Sequence, residues 1–294
     1  MSRTALSTRL LSFAAVLSLV VASCADADEA FFSPLPVDEY ELTYEDETPP
    51  EERVPPELQR LVDFRAEDGT KVYGALVLRP GDESKVAPTV LYHHGNADNI
   101  EAYWDRIGLI WSLGANVLVY DYRSFGKTEG KITEKGIYQD ARAALAFLRG
   151  LGPAIDQARL FHYGYSLGGT AAIELGKSSG PYRGLIVEST FTSADEIAAQ
   201  AFLVLPASFL VNFEFDNIGK IADATRNASA GTLLFHGAAD DYLVPAFSKR
   251  LAATIPAELP HELVLIDGAG HDNVPYRRPQ SDVYRLELRE FLGR

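Results

Sequence analysis

Ser166 sits between two glycines in "GYSLG" (164–168), a G-x-S-x-G pattern placed where an apolar run gives way to small residues with helical spacing. A strand-to-helix turn that tight forces the serine into a strained backbone. Glycines two residues to either side relieve the crowding and leave the hydroxyl standing clear above a sheet. A hydroxyl is a weak nucleophile. It needs a base to take its proton, and the base needs a carboxylate to hold its tautomer. "FHGAADDYLVP" (235–245) and "DGAGHDNVP" (267–275) supply those residue types, each just beyond an apolar run that reads as a strand. The order is Ser166, then Asp240, then His271. In such a set His271 takes the serine proton and later returns it to the leaving group, while Asp240 steadies the imidazolium. Counting from His236-Gly237 selects Asp240, and counting back from Val244-Pro245 selects Asp241. The strand end is the firmer reference and favours Asp240, with Asp241 as the alternative.

The chemistry these residues point to is acyl transfer at a carbonyl. Its tetrahedral intermediate needs two backbone N–H donors around the oxyanion. Leu167 follows the serine and supplies one. "HHGNAD" (93–98) follows another apolar strand and places Asn96 for the second, with Gly95 beside it permitting close approach. His162 and His261 read as ordinary histidines. Neither a metal nor an organic cofactor is required.

The elements that must position these residues follow from hydrophobic period. "LVDFRAEDGTKVYGALVLRP" (61–80) gives two β-rich runs about Asp68-Gly69, a hairpin signal. Strands are expected at 89–95, from 115, at 158–166, 183–190, 231–237 and 262–270. Helices are expected at 100–114, 137–152, 167–178, 244–255 and 282–292. Near-continuous apolar strands alternating with helices make an α/β chain, its sheet mostly parallel and doubly wound with helices on both faces. Ligands bind outside the carboxyl ends of such strands. An insertion at about 191–230 is expected to form a short lid. Its segment "AFLVLPASFLVNF" (201–213) reads equally as the lining of an acyl pocket or as a helix packed on the core. Tyr122 and Phe125 follow a strand end and are placed at the mouth, whereas Asp121 and Arg123 fit an internal pair.

The chain has 294 residues, 47% of them hydrophobic, enough for one large core or at most two small domains. A net charge of −14 argues against a nucleic-acid partner, which needs a basic face. Most of that charge is local: residues 25–57 hold twelve acids and one arginine. This acidic, proline-rich stretch is expected to be an unstructured linker, residues 24–57, before a folded domain at 58–294. Residues 1–23 combine Arg3 and Arg9 with the apolar run "LLSFAAVLSLVVAS" and read as an export signal. The only cysteine, Cys24, follows directly. Small residues before a cysteine there resemble a bacterial lipobox, which implies lipidation of Cys24 and an envelope protein tethered to a membrane. The competing reading is a soluble secreted protein cut near residues 25–30.

Taken in order, "HHGNADNI", "YDYRSFGKTEG", "GYSLGG", "ESTFTS", "HGAADD" and "GAGHDNV" resemble the α/β-hydrolase fold over about residues 58–294. Within it they are similar to the small serine hydrolases related to prolyl oligopeptidase, which include many bacterial hydrolases and the eukaryotic depalmitoylating thioesterases. Two departures stand out: one extra residue between His236-Gly237 and Val244-Pro245, and Ser124 where glycine is commoner. The resemblance implies a serine hydrolase acting on a small-molecule ester or thioester through Ser166, Asp240 and His271. A serine peptidase or aminoacyl amidase is the alternative, and a surface-anchored binding protein with an idle site the less favoured one. A dehalogenase is excluded, since it needs Asp where Ser166 stands.

Overall fold

In the computed structural model the described residues are 31–201, 213–276 and 281–294. The signal segment, Cys24 and nearly all of the apolar stretch 201–213 therefore lie outside them. An eight-stranded sheet forms the centre. Its strands are β1 (Gln59–Arg65), β2 (Lys71–Val77), β3 (Thr89–His93), β4 (Asn116–Tyr120), β5 (Leu160–Tyr165), β6 (Gly184–Glu188), β7 (Thr232–Gly237) and β8 (His261–Ile266). The spatial order is β1-β2-β4-β3-β5-β6-β7-β8. β2 runs antiparallel to both its neighbours and every other pairing is parallel. β1 and β2 form the expected hairpin, with Gly69 at φ +88° in its turn.

β3 through β7 are buried at every residue, as strands covered on both faces must be. Alternation then sorts their side chains. Leu91, Leu118 and Tyr120 face the layer of α2 (Glu134–Gly150) and α3 (Gly168–Ser178). Val90, Tyr92, Val117 and Val119 face α1 (Trp104–Ser112) and α7 (Ser281–Gly293). The chain also forms α4 (Ala194–Ala201), α5 (Ile221–Asn227) and α6 (Ala246–Thr254). The insertion at 191–230 thus contributes α4 and α5, and Phe213 and Phe215 at its centre are buried.

The reading of the acidic stretch as an unstructured linker is corrected for residues 31–57, which dock on the domain as a strap. Ser33 and Pro34 pair in parallel with Ala97 and Asp98. Thr48 Oγ1 donates to Asp105 Oδ1 at 2.6 Å, and Arg285 Nη2 meets Glu52 Oε1 at 2.7 Å. Mean composition hid the reason. The acids alternate with Phe32, Tyr40, Leu42, Tyr44 and Val54, which bury against the body, so most of the acids need only stay in water. Gly108, inside α1, makes room for the strap: a Cβ there would fall 2.0 Å from the Glu52 carbonyl oxygen.

Candidate active site

The turn between β5 and α3 carries Ser166 at φ +52°. That conformation costs a residue with a side chain roughly 1–3 kcal/mol and needs surroundings that over-determine it. The Ser166 N–H donates to the Glu188 carbonyl (2.9 Å). Its own carbonyl accepts from Gly169 N (3.0 Å) and Thr190 Oγ1 (2.7 Å). The flanking glycines are dictated by backbone contact. A Cβ on Gly164 would meet the Gly168 oxygen at 2.3 Å, and one on Gly168 would meet the His93 oxygen at 1.9 Å. The turn therefore sits directly on the end of β3, beside the loop that carries Asn96.

His271 lies in the loop after β8 and Asp240 in the loop after β7. Ser166 Oγ lies 3.0 Å from His271 Nε2, and His271 Nδ1 lies 2.8 Å from Asp240 Oδ2. Asp240 fixes the directions. Burial raises its pKa, but hydrogen bonds from His236 and His271, with the Leu243 amide, outweigh burial and hold the carboxyl at about 2. An ionised carboxylate only accepts, so His271 donates through Nδ1–H, which leaves Nε2 to accept the hydrogen bond from Ser166 Oγ. Asp240 Oδ1 also accepts from the Tyr242 and Leu243 amides at 3.0 and 2.9 Å. Asp241, the alternative, points its residue to solvent, while Asp240 is 3% exposed. The structure thus brings together Ser166, His271 and Asp240 and leaves Asp241 out.

Leu167 opens α3, where the first amides of a helix have no intrahelical acceptor. Asn96 lies in the loop after β3, its carbonyl accepting from Ser33 N (3.1 Å) and its Nδ2 donating to the Phe31 carbonyl (2.6 Å). Gly95 is pressed between the Tyr103 hydroxyl and the Tyr165 ring, with no space for a Cβ. Tyr122 and Phe125 are fully buried against His94, not at the mouth. Asp121 and Arg123 are both internal but do not pair. Asp121 faces His94 and Tyr40, and Arg123 faces Asp140 and Asp68. Ser124 stands at φ +74°, which explains why glycine suits that position.

Several supporting residues escaped the sequence reading. His236 Nε2 lies 2.8 Å from the Leu243 carbonyl and 3.2 Å from Asp240 Oδ2, so it carries its proton there, while Nδ1 accepts from Ser248 Oγ at 2.6 Å. The four-residue step from His236 to Asp240 within one motif was the available signal. Arg106 had none. It is buried, joins Glu188 Oε1 at 2.6 Å and the Asp272 carbonyl at 2.9 Å, and stacks 4.0 Å over the Tyr165 ring. The Tyr165 hydroxyl donates to Asp272 Oδ1 at 2.8 Å. Tyr163 donates to Glu188 and meets Tyr284; burial pushes both phenols well above their usual range, so they keep their protons. His162, expected to be ordinary, is fully buried, and burial brings its pKa down to about 3.

A sheet of this order with its serine on the turn after β5 defines an α/β hydrolase of the serine-hydrolase type. Comparison with known proteins narrows the class. The family model described as "Serine aminopeptidase, S33" matches residues 84–230, and the chain belongs to that family. The uncharacterized protein YfhR of Escherichia coli is 30% identical over 236 residues, 79% of each chain. The Pyrococcus furiosus esterase Pf2001 superposes with a TM-score of 0.66 at 22% identity, over 89% of this chain and 98% of that one. The Pyrococcus horikoshii acylaminoacyl peptidase gives 0.61 at 17% identity, over 80% of this chain and 41% of that one. At such identities the two structures share the fold.

Proposed function

We propose that the protein hydrolyses a small carboxylic ester or thioester through an acyl-enzyme on Ser166, with His271 as base and Asp240 as its orienting carboxylate. The observation that carries this reading is the unbroken chain of hydrogen bonds from Asp240 through His271 to Ser166. His271 Nε2 accepts the Ser166 proton as Oγ attacks the carbonyl carbon. The resulting oxyanion is met by the Leu167 and Asn96 amides. The same imidazolium then protonates the departing alcohol or thiol. Water, deprotonated by His271 in turn, releases the acid.

A peptide or aminoacyl amide is the second reading, favoured by the family description and by the acylaminoacyl peptidase neighbour. Fluorophosphonate labelling, followed by a series of p-nitrophenyl esters, thioesters and aminoacyl amides, tests both. Wild type should label and turn over esters or thioesters fastest. Ser166→Ala should label no longer and lose kcat by roughly 10⁵-fold or more, while its circular dichroism is unchanged. Retained turnover in Ser166→Ala would refute the assignment, and preference for the amides would move it to the second reading.

A further inference from the structure

We infer that the strap at residues 31–40 is a working part of the site, and that Phe31 and Ser33 are positioning residues holding the oxyanion loop; this rests on the hydrolase reading above. The loop from Asn96 to Ile100 is held from two sides: the Tyr103 hydroxyl donates to the Ala97 carbonyl at 3.0 Å and the turn that follows caps on Asn99, while the strap supplies the bonds to Asn96 and Asp98. Ser33 N donates to the Asn96 carbonyl at 3.1 Å, and the Phe31 carbonyl accepts from Asn96 Nδ2 at 2.6 Å. Leu35 N donates to the Asp98 carbonyl at 2.8 Å, and the Leu35 carbonyl accepts from Asn99 Nδ2 at 3.2 Å. Tyr40 reaches the loop indirectly. Its hydroxyl donates to Asp121 Oδ2 at 2.6 Å, and Asp121 Oδ1 accepts from Ile100 N at 3.0 Å.

Two features accord with a loop held by these bonds. Asp98 stands at φ +60°, a left-handed conformation that costs a residue with a side chain, and its carbonyl accepts from Leu35 N. Asn96 is gripped on both its carbonyl and its side chain, which fixes the place of its Cα; its N–H lies in the preceding peptide, whose Gly95 carbonyl faces His94 Nδ1 at 2.8 Å, so the strap holds one end of the peptide that carries the donor and His94 faces the other. An oxyanion donor acts through the direction of its N–H, and a tilted amide binds substrate well but the tetrahedral state poorly. The strap is itself anchored. Phe31 packs on Phe213 with ring centroids 4.7 Å apart, and Phe32, 5% exposed, packs on Phe213 and Phe215. It also lies outside residues 84–230, the part the family model matches.

The test uses the full chain and two variants. Ser33→Pro removes the donor to the Asn96 carbonyl, and Asn96→Ala removes the side-chain link while keeping the backbone N–H. Steady-state hydrolysis of p-nitrophenyl butyrate, the affinity of 1-butaneboronic acid as a tetrahedral analogue, and urea unfolding are measured on each. In both variants kcat should fall about 10–100-fold, below the loss for deleting one oxyanion donor outright. KM should stay within about twofold, the boronate should weaken by the same factor as kcat/KM, and urea midpoints should match wild type. Unchanged kcat in folded variants, or a kcat loss with boronate affinity intact, overturns the inference. A wild type that fails to react with fluorophosphonate overturns the reading beneath it instead.

Discussion

Asp240 is the residue on which the site's electrostatics turn. One oxygen faces two histidines and the other accepts two backbone amides, so its charge is held from every side. Asp240→Asn leaves the packing and reverses the tautomer preference of His271. It should lower kcat by about 10⁴-fold. Asp241→Asn, at an exposed position, should stay within about twofold of wild type in the same ester assay. The pKa adds a stability test. The folded carboxyl titrates at about 2, below the roughly 3.9 of an unfolded aspartate, so its stabilisation is whole above about pH 4 and is lost as pH falls towards 2. Urea unfolding of wild type should weaken over that window more steeply than that of Asp240→Asn.

At the scale of elements, the nucleophile turn is a contact between β3, β5 and α3 in which backbone touches backbone. Gly168 is the tightest point, and no rotamer change relieves a Cβ placed 1.9 Å from the His93 oxygen. Gly168→Ala should therefore cost about 3 kcal/mol or more in urea unfolding and abolish fluorophosphonate labelling, even though alanine is the better helix former. The motif is legible because its glycines are demanded by geometry within five residues of chain. Strand and helix positions were legible for a related reason: periods of 2 and 3.6 are written by each element's own burial. The docking of the strap is masked by its acids and prolines, since only Tyr40, Leu42 and Tyr44 keep a two-residue period and no longer pattern runs through residues 31–57. Each of its apolar residues fits a separate site on the body.

At the scale of the whole molecule, one buried cation ties the site together. Arg106 comes from α1, Glu188 lies 82 residues further on and Asp272 lies 166 residues further on. Glu188 also holds the Ser166 amide through its carbonyl, and Asp272 adjoins His271, so a single guanidinium links the serine turn to the histidine loop. Arg106→Met leaves Glu188 buried without its counter-charge and should cost about 3–5 kcal/mol in urea unfolding. Glu188→Gln, paired with Arg106→Met, should recover part of that loss, since the orphaned charge is then gone.

The sequence by itself determined the sheet's class, the serine turn, and the pair of loops that deliver acid and histidine, because each is encoded in a short stretch that carries its own geometric demand. Only the tertiary structure decided between Asp240 and Asp241, since one register step along a loop changes which carboxylate meets the imidazole, and distance alone chooses. Only it revealed Arg106 as the tie and residues 31–40 as the brace of the Asn96 loop. Such contacts join residues distant in the chain, and their energy comes from burial and hydrogen bonding that no local pattern records.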